Sequence, residues 1–196
     1  GSVYAEFDRA LNASSETIQT SEPLHIGMDF NVGKMSAVVF VLRDGEPVAV
    51  DELTECYDTP AMIGAFRARY PGRQVFAYPD ASGKNRKSQD ATAADISLLR
   101  QDRMTVLAPA ANPAVKDRVM AVNALIGGND RPRRLMVNVD KCPALVEALE
   151  KQAYDKNGEP DKANGLDHVT DAAGYFMHYK FPIARQKVQR MQLIGL

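Results

Sequence analysis

Residues 36–53 read SAVVFVLRDGEPVAVDEL, and this stretch limits the fold more than any other. Ser36 to Leu42 is apolar and rich in β-branched side chains, which favours a strand. Asp44-Gly45 follows it and is a two-residue hairpin signal, because a type I′ turn needs positive φ at both central positions. Pro47 to Leu53 is then the returning strand. Leu24 to Phe30 precedes the pair across a short loop, Asn31-Val32-Gly33-Lys34. Three strands joined by such short turns form an antiparallel meander.

Beyond the meander the pattern alternates. Pro60 marks a helix start before MIGAFRARY, and Pro71-Gly72 stops it. Gln74 to Tyr78 is a short strand ended by Pro79. A polar loop over 81–90 leads into a helix over 91–101, and Met104 to Leu107 is again a strand. Asn112-Pro113 opens a helix that runs to Ile126 and stops at Gly127-Gly128. Leu135 to Val139 is the last strand, and Pro143 starts a helix through about Lys151. Residues 152–164 are polar, with Asn157-Gly158 as a hairpin or loop signal. A final helix spans about Asp167 to Tyr179. The order predicts an α/β fold, with a mixed central sheet of antiparallel meander plus parallel strands and helices on both faces.

The chain has 196 residues, enough for one well-buried core and short for two. Gly1-Ser2 has the composition of a cleavage remnant and is set aside. Residues 3–23 are polar without a clear period and read as a linker or arm. The folded domain is expected over 24–180, with a basic tail over 181–196. No apolar run reaches the ~20 residues of a membrane helix. Cys56 and Cys142 lack metal-ligand spacing and read as small packing residues.

Net charge is -1, so the molecule as a whole is not a basic nucleic-acid binder. Its distribution is uneven. Residues 1–62 hold eleven acids and three bases, and no acid follows Asp171, whereas Lys180, Arg185, Lys187 and Arg190 do. Such asymmetry can create a positive face on a neutral protein.

Three carboxylates stand where chemistry can use them. Asp29 sits inside an otherwise apolar strand, where a charge is costly unless paired or metal-bound. Asp80 directly follows the strand ending Ala77-Tyr78-Pro79. Asp171 lies on the last helix, three residues after His168 and four after Asp167, so either can share its face. Ala172, Ala173 and Gly174 beside it would let the helix approach a sheet closely. Taken singly, each has an ordinary reading: a strand-end turn for Asp29, a Pro-Asp turn for Asp80, an N-cap for Asp167, a surface histidine for His168. Together they suit phosphodiester hydrolysis, where two divalent ions held by a few oxygen ligands activate water and neutralise phosphate charge.

In this order and spacing, four segments resemble the nuclease domain of the large terminase subunit of tailed double-stranded DNA bacteriophages, within the RNase H-like or retroviral integrase superfamily. They are Gly27-Met-Asp-Phe-Asn31, Tyr78-Pro-Asp-Ala-Ser-Gly83, Asn112-Pro-Ala-Val-Lys-Asp-Arg-Val-Met-Ala-Val-Asn123 and Asp167-His-Val-Thr-Asp-Ala-Ala-Gly-Tyr175. The resemblance covers about residues 24–180. It implies an RNase H-like endonuclease that cuts concatemeric viral DNA during packaging. Asp29, Asp80 and Asp171 would be the catalytic metal ligands for two Mg2+ or Mn2+ ions, with His168 or Asp167 as an added ligand or supporting group. It further implies an ATPase domain preceding this one in the same chain, a small terminase subunit and a portal protein as partners, and the host cytoplasm as location. No ATPase activity is expected of these residues themselves. Ser82-Gly83-Lys84 lacks a phosphate loop's first glycine, Tyr78 standing in its place.

Expected phosphate contacts are Lys84, Arg86 and Lys87 on the loop after Asp80, Lys34 after Asp29, and Lys116 and Arg118 on the third motif. Arg131, Arg133 and Arg134 form a further basic cluster. Contacts of this kind are sequence-independent and salt-sensitive. Competing readings are a junction resolvase or transposase of the same superfamily, an actin-like ATPase domain, and a non-catalytic DNA- or capsid-docking module. An actin-like domain would want glycine and Ser/Thr after Asp29, where Phe30-Asn31-Val32 stands. It would also need a second, similar domain.

Overall fold

A computed structural model describes residues 1–31, 33–81 and 89–183. Six strands form one sheet in the order β5-β4-β1-β2-β3-β6. They are β1 (Leu24–Asp29), β2 (Met35–Arg43), β3 (Glu46–Cys56), β4 (Val75–Pro79), β5 (Thr105–Val106) and β6 (Met136–Val137). Five helices accompany them: α1 (Thr59–Arg69), α2 (Gln89–Gln101), α3 (Val115–Ile126), α4 (Pro143–Lys151) and α5 (Asp167–Lys180). β1, β2 and β3 pair antiparallel, while β4 joins β1, β5 joins β4 and β6 joins β3 in parallel.

Local chemistry accounts for most boundaries. Asp44 and Gly45 take φ of 51° and 77°, which closes the β2–β3 hairpin as its sequence requires. Asp58 caps α1 by accepting from the Ala61 amide at 2.8 Å, with Pro60 in the first turn. The Glu52 carboxylate accepts from the Ala144 and Leu145 amides, both at 3.0 Å, and so caps α4 from the neighbouring strand.

The sheet separates two apolar layers, as its mixed pattern requires. One holds Val38, Phe40 and Tyr78 of the sheet with side chains of α3, α4 and α5. The other holds Ile26, Met28, Val39 and Val41 with Met62, Phe66 and Leu99 from α1 and α2. Every residue of β1 is buried. Cys142 is buried, Cys56 is half-buried, and both are free thiols. Among the described residues, no helix is long and apolar enough to cross a membrane.

Two differences from the sequence reading matter for the site. The segment over 3–23, expected as a linker or arm, packs on the fold at several points. Val3 and Tyr4 are buried in the α3–α5 layer. Asn12 is fully buried and donates to the carbonyls of Ile126 at 3.1 Å and Leu135 at 3.0 Å. A polar side chain that satisfies buried backbone leaves no apolar periodicity to read. The third helix begins at Val115 rather than at Asn112-Pro113, and the Asn112 side chain is held by the backbone after β4, as described below.

Candidate active site

The site is built at the carboxyl ends of two adjacent parallel strands. Asp29 ends β1, opposite Ser36 of β2. Asp80 follows β4, and its amide donates to the Met28 carbonyl at 3.0 Å. Both aspartates are buried, with about 6% of each exposed. Parallel strands lie ~4.8 Å apart, so two carboxylates at neighbouring ends share one locality.

The helix α5 brings the remaining acids. It lies directly on β1, because residue 27 has no side chain: a β-carbon there would stand 1.9 Å from the Ala172 carbonyl oxygen. Ala172 and Ala173 are buried on this face. The closeness places His168 so that its Nδ1 lies 3.1 Å from Asp29 Oδ2, with the Asn31 amide beside the ring at 3.2 Å. Asp171 Oδ1 accepts from the Arg118 guanidinium at 2.7 Å. Asp167 opens the helix and is buried, and its Oδ1 has no hydrogen-bond partner. It is therefore not the N-cap of its own helix; Leu166 holds that position without a side-chain bond.

Burial and like charge act together here. Burial pushes the Asp29 carboxyl above the usual carboxylate range, and the Asp80 and Asp167 charges add to this against the pull of His168. Burial likewise raises Asp171 to about 6, with Asp29 and Asp167 adding and Arg118 opposing. The hydrogen bond to Asp29 raises His168 above the ordinary imidazole value. Burial leads the shifts of both aspartates, and the charges of neighbouring acids add to it.

Asn112, which the sequence offers as a helix start and as the head of the third motif, has a further role. Its amide oxygen accepts from the Ala81 amide at 2.8 Å, and its Nδ2 donates to Asp80 Oδ1. It thereby fixes both the backbone after Asp80 and the carboxylate itself. Its signal in the sequence was the Asn-Pro pair, which reads equally well as a helix start.

Arg118 requires a correction. The expected phosphate contact is 5% exposed, and its guanidinium faces Asp171 and the Tyr175 ring instead of solvent. Lys116 is exposed on α3, and Lys34 is exposed beside a small cleft of about 200 Å3 that His168 also lines. Lys84, Arg86 and Lys87 lie outside the described residues. The basic cluster divides: Arg131 is exposed, Arg133 donates to Glu6 O and Asn12 Oδ1, and Arg134 pairs with Glu46 at 2.8 Å. The Asn157-Gly158 turn exists, with Asp155 Oδ1 accepting from the Asn157 and Glu159 amides. Gly158 lines a groove along α3 with Met120 and Tyr154.

Among the described residues, no three His, Cys, Asp or Glu side chains stand close enough to hold a metal ion as placed. The donor set nonetheless fits a hard divalent cation. It consists of carboxylate oxygens with one imidazole, and one buried carboxylate oxygen, Asp167 Oδ1, lacks any partner. A buried acceptor of this kind is costly unless something binds it.

The sequence profile of the terminase RNaseH-like domain matches residues 26–180. No curated protein matches the chain. Among solved structures, the large terminase of the thermophilic bacteriophage D6E aligns with a TM-score of 0.69 at 20% identity, over 91% of this chain and 44% of that one. The chain thus spans less than half the length of that protein. The large terminase nuclease domain of bacteriophage SPP1, solved with bound manganese, gives 0.56 at 17% identity, over 81% of this chain and 87% of that one. The large terminase nuclease of thermophilic phage G20c, solved with bound magnesium, gives 0.59 at 12% identity, over 90% and 96%. The fold is RNase H-like, and the chain belongs to the terminase RNaseH-like domain family.

Proposed function

We propose that this domain is a metal-dependent endonuclease that cuts concatemeric double-stranded viral DNA during genome packaging. What supports this reading is placement: Asp29 ends β1, Asp80 directly follows the adjacent parallel strand β4, and Asp171 stands on the helix packed against β1. Membership of the terminase family supports the packaging role. Nuclease relatives solved with manganese and with magnesium support the choice of ion.

Asp29, Asp80 and Asp171 would hold two divalent ions, Mg2+ or Mn2+. Such ions lower the pKa of a water and neutralise charge at the scissile phosphate. The chain's own side chains prepare the ligands. Asn112 fixes one Asp80 oxygen, and His168 fixes one Asp29 oxygen. His168 is therefore assigned to orienting Asp29, and Asp167, with its unpartnered buried oxygen, to the edge of the metal site. Holding ligands by a surrounding layer of hydrogen bonds is the usual means of tuning such a site. Exposed Lys34 and Lys116, with Lys84, Arg86 and Lys87, would contact the DNA backbone without reading its sequence.

In this reading the domain works with an ATPase domain of the same polypeptide, a small terminase subunit and a portal protein, in the host cytoplasm. Residues 1–23 would lead from the ATPase domain, docked on this fold rather than free of it.

The test is incubation of the chain with supercoiled plasmid and Mn2+. Wild type should give nicked and then linear DNA, and Asp80→Ala should leave the plasmid intact. Identical products from both would overturn the assignment. Preferential cutting of four-way junctions over linear duplex would favour a resolvase instead.

A further inference from the structure

Arg118 is a cation in a place where stability does not call for one. Only 7% of its side chain is exposed. Removing a guanidinium from water is costly, and well-packed apolar residues usually serve a helix–helix contact at least as well as a buried ion pair. Yet the surroundings are shaped around it. Its Nη2 donates to Asp171 Oδ1 at 2.7 Å, and its guanidinium carbon lies 4.7 Å from the centre of the Tyr175 ring. Gly174 on α5 provides the seat: a β-carbon there would stand 2.7 Å from Arg118 Cγ and 2.8 Å from Cδ. Tyr4, buried in the same layer, is close enough to Asp171 and Arg118 to feel both charges.

The geometry points to Arg118 as a positioning residue for Asp171, which ties one carboxylate oxygen from behind and leaves the other to face the metal site. This inference rests on the metal-dependent reading given above. An ionised carboxylate offers acceptor positions on both oxygens, and a guanidinium in a fixed seat restricts its rotation. Gly174 takes a matching role. Its absent side chain serves the Arg118 stem, whereas Gly27 serves the contact between α5 and the sheet.

The test measures Mn2+ binding by calorimetry on the 196-residue chain, without DNA, for wild type, Arg118→Met, Arg118→Lys and Gly174→Ala. Thermal unfolding identifies which variants are folded. Duplex DNA binding over a range of salt, without divalent metal, is the second readout. Arg118→Met should weaken Mn2+ binding by about ten- to a hundredfold, the usual effect of losing a ligand's hydrogen-bond partner. Arg118→Lys should recover part of the loss. Gly174→Ala should weaken binding in the same direction, because it keeps the charge but fills its seat, and it decides the matter if Arg118→Met does not fold. The salt dependence of DNA affinity should stay at the wild-type slope.

Mn2+ affinity unchanged in folded Arg118→Met or Gly174→Ala would overturn the inference, leaving a structural pair. So would a fall of about one in the salt slope, which marks a lost phosphate contact. Wild type that binds Mn2+ alongside such variants leaves the nuclease reading standing. Wild type that binds none removes both.

Discussion

Gly27 of β1 and Ala172 of α5 meet through their backbones, so closely that a β-carbon on residue 27 would lie 1.9 Å from the Ala172 carbonyl oxygen. Everything α5 brings to the site depends on this contact. Gly27→Ala should therefore push α5 off the sheet. The expected cost is about 1–3 kcal/mol, the range for overpacking a close-packed interior. Mn2+ binding should fall with it, since Asp171 and His168 move away from Asp29. Denaturant unfolding and Mn2+ titration of the same preparation check both parts.

Asn112 makes a different expectation. It touches Asp80 and the Ala81 amide but lies between elements rather than in an apolar layer. Asn112→Ala should lower plasmid cleavage about ten- to a hundredfold. Stability should fall by only about 1 kcal/mol, the net value of an ordinary hydrogen bond. Steady-state cleavage and thermal unfolding separate the two effects. A stability loss large enough to account for the lost cleavage would assign Asn112 to the fold alone.

His25 gives a pH dependence independent of the acids. It is buried beside Phe76, and its Nδ1 lies 2.7 Å from the Tyr78 hydroxyl. Burial lowers its pKa to about 4, with the Lys180 charge adding. The unfolded chain then binds a proton that the folded chain does not between about pH 6.5 and 4, so His25 contributes stability above 6.5 that is lost as pH falls toward 4. The loss should reach up to about 2 kcal/mol after allowance for solvent screening. His25→Phe should flatten this limb of a stability-against-pH curve without changing Mn2+ affinity at neutral pH. An unchanged limb would show that other groups carry it.

Asp167 and His168 separate in the same way. His168 is bonded to Asp29, while Asp167 Oδ1 is buried without a partner. Asp167→Asn should therefore stabilise the metal-free protein, because it removes one charge from a crowded group of acids. It should also weaken Mn2+ binding. His168→Ala should reduce cleavage more than it reduces Mn2+ affinity. Paired calorimetry and plasmid assays read both, and the reverse order would exchange the two roles.

Much of this site was legible before the fold was known. Asp44-Gly45 dictated the hairpin, and Asp29 and Asp80 were visible through their place in or directly after apolar strands, although each alone has an ordinary reading. The spacing of Asp167, His168 and Asp171 fixed a shared helix region. What stayed hidden were polar side chains whose partners are distant in sequence. Asn12 closes backbone groups more than a hundred residues away. Asn112 resembled a helix start and instead clamps Asp80. Arg118 resembled a surface cation, although it stands on one helical stripe with Ala121, Val122 and Leu125, all buried. An arginine on the apolar stripe of a helix is a sign of a buried partner, and periodicity alone carried that sign.

The nuclease proposal rests on divalent metal being bound by Asp29, Asp80 and Asp171 together. Crystals soaked in Mn2+ and measured for anomalous scattering test it most directly. The expected result is anomalous density bounded by oxygens of all three aspartates, with Asp167 at its edge and Arg118 still on Asp171 Oδ1. Density elsewhere, or none, in crystals of a protein that still cuts plasmid with Mn2+ would contradict it.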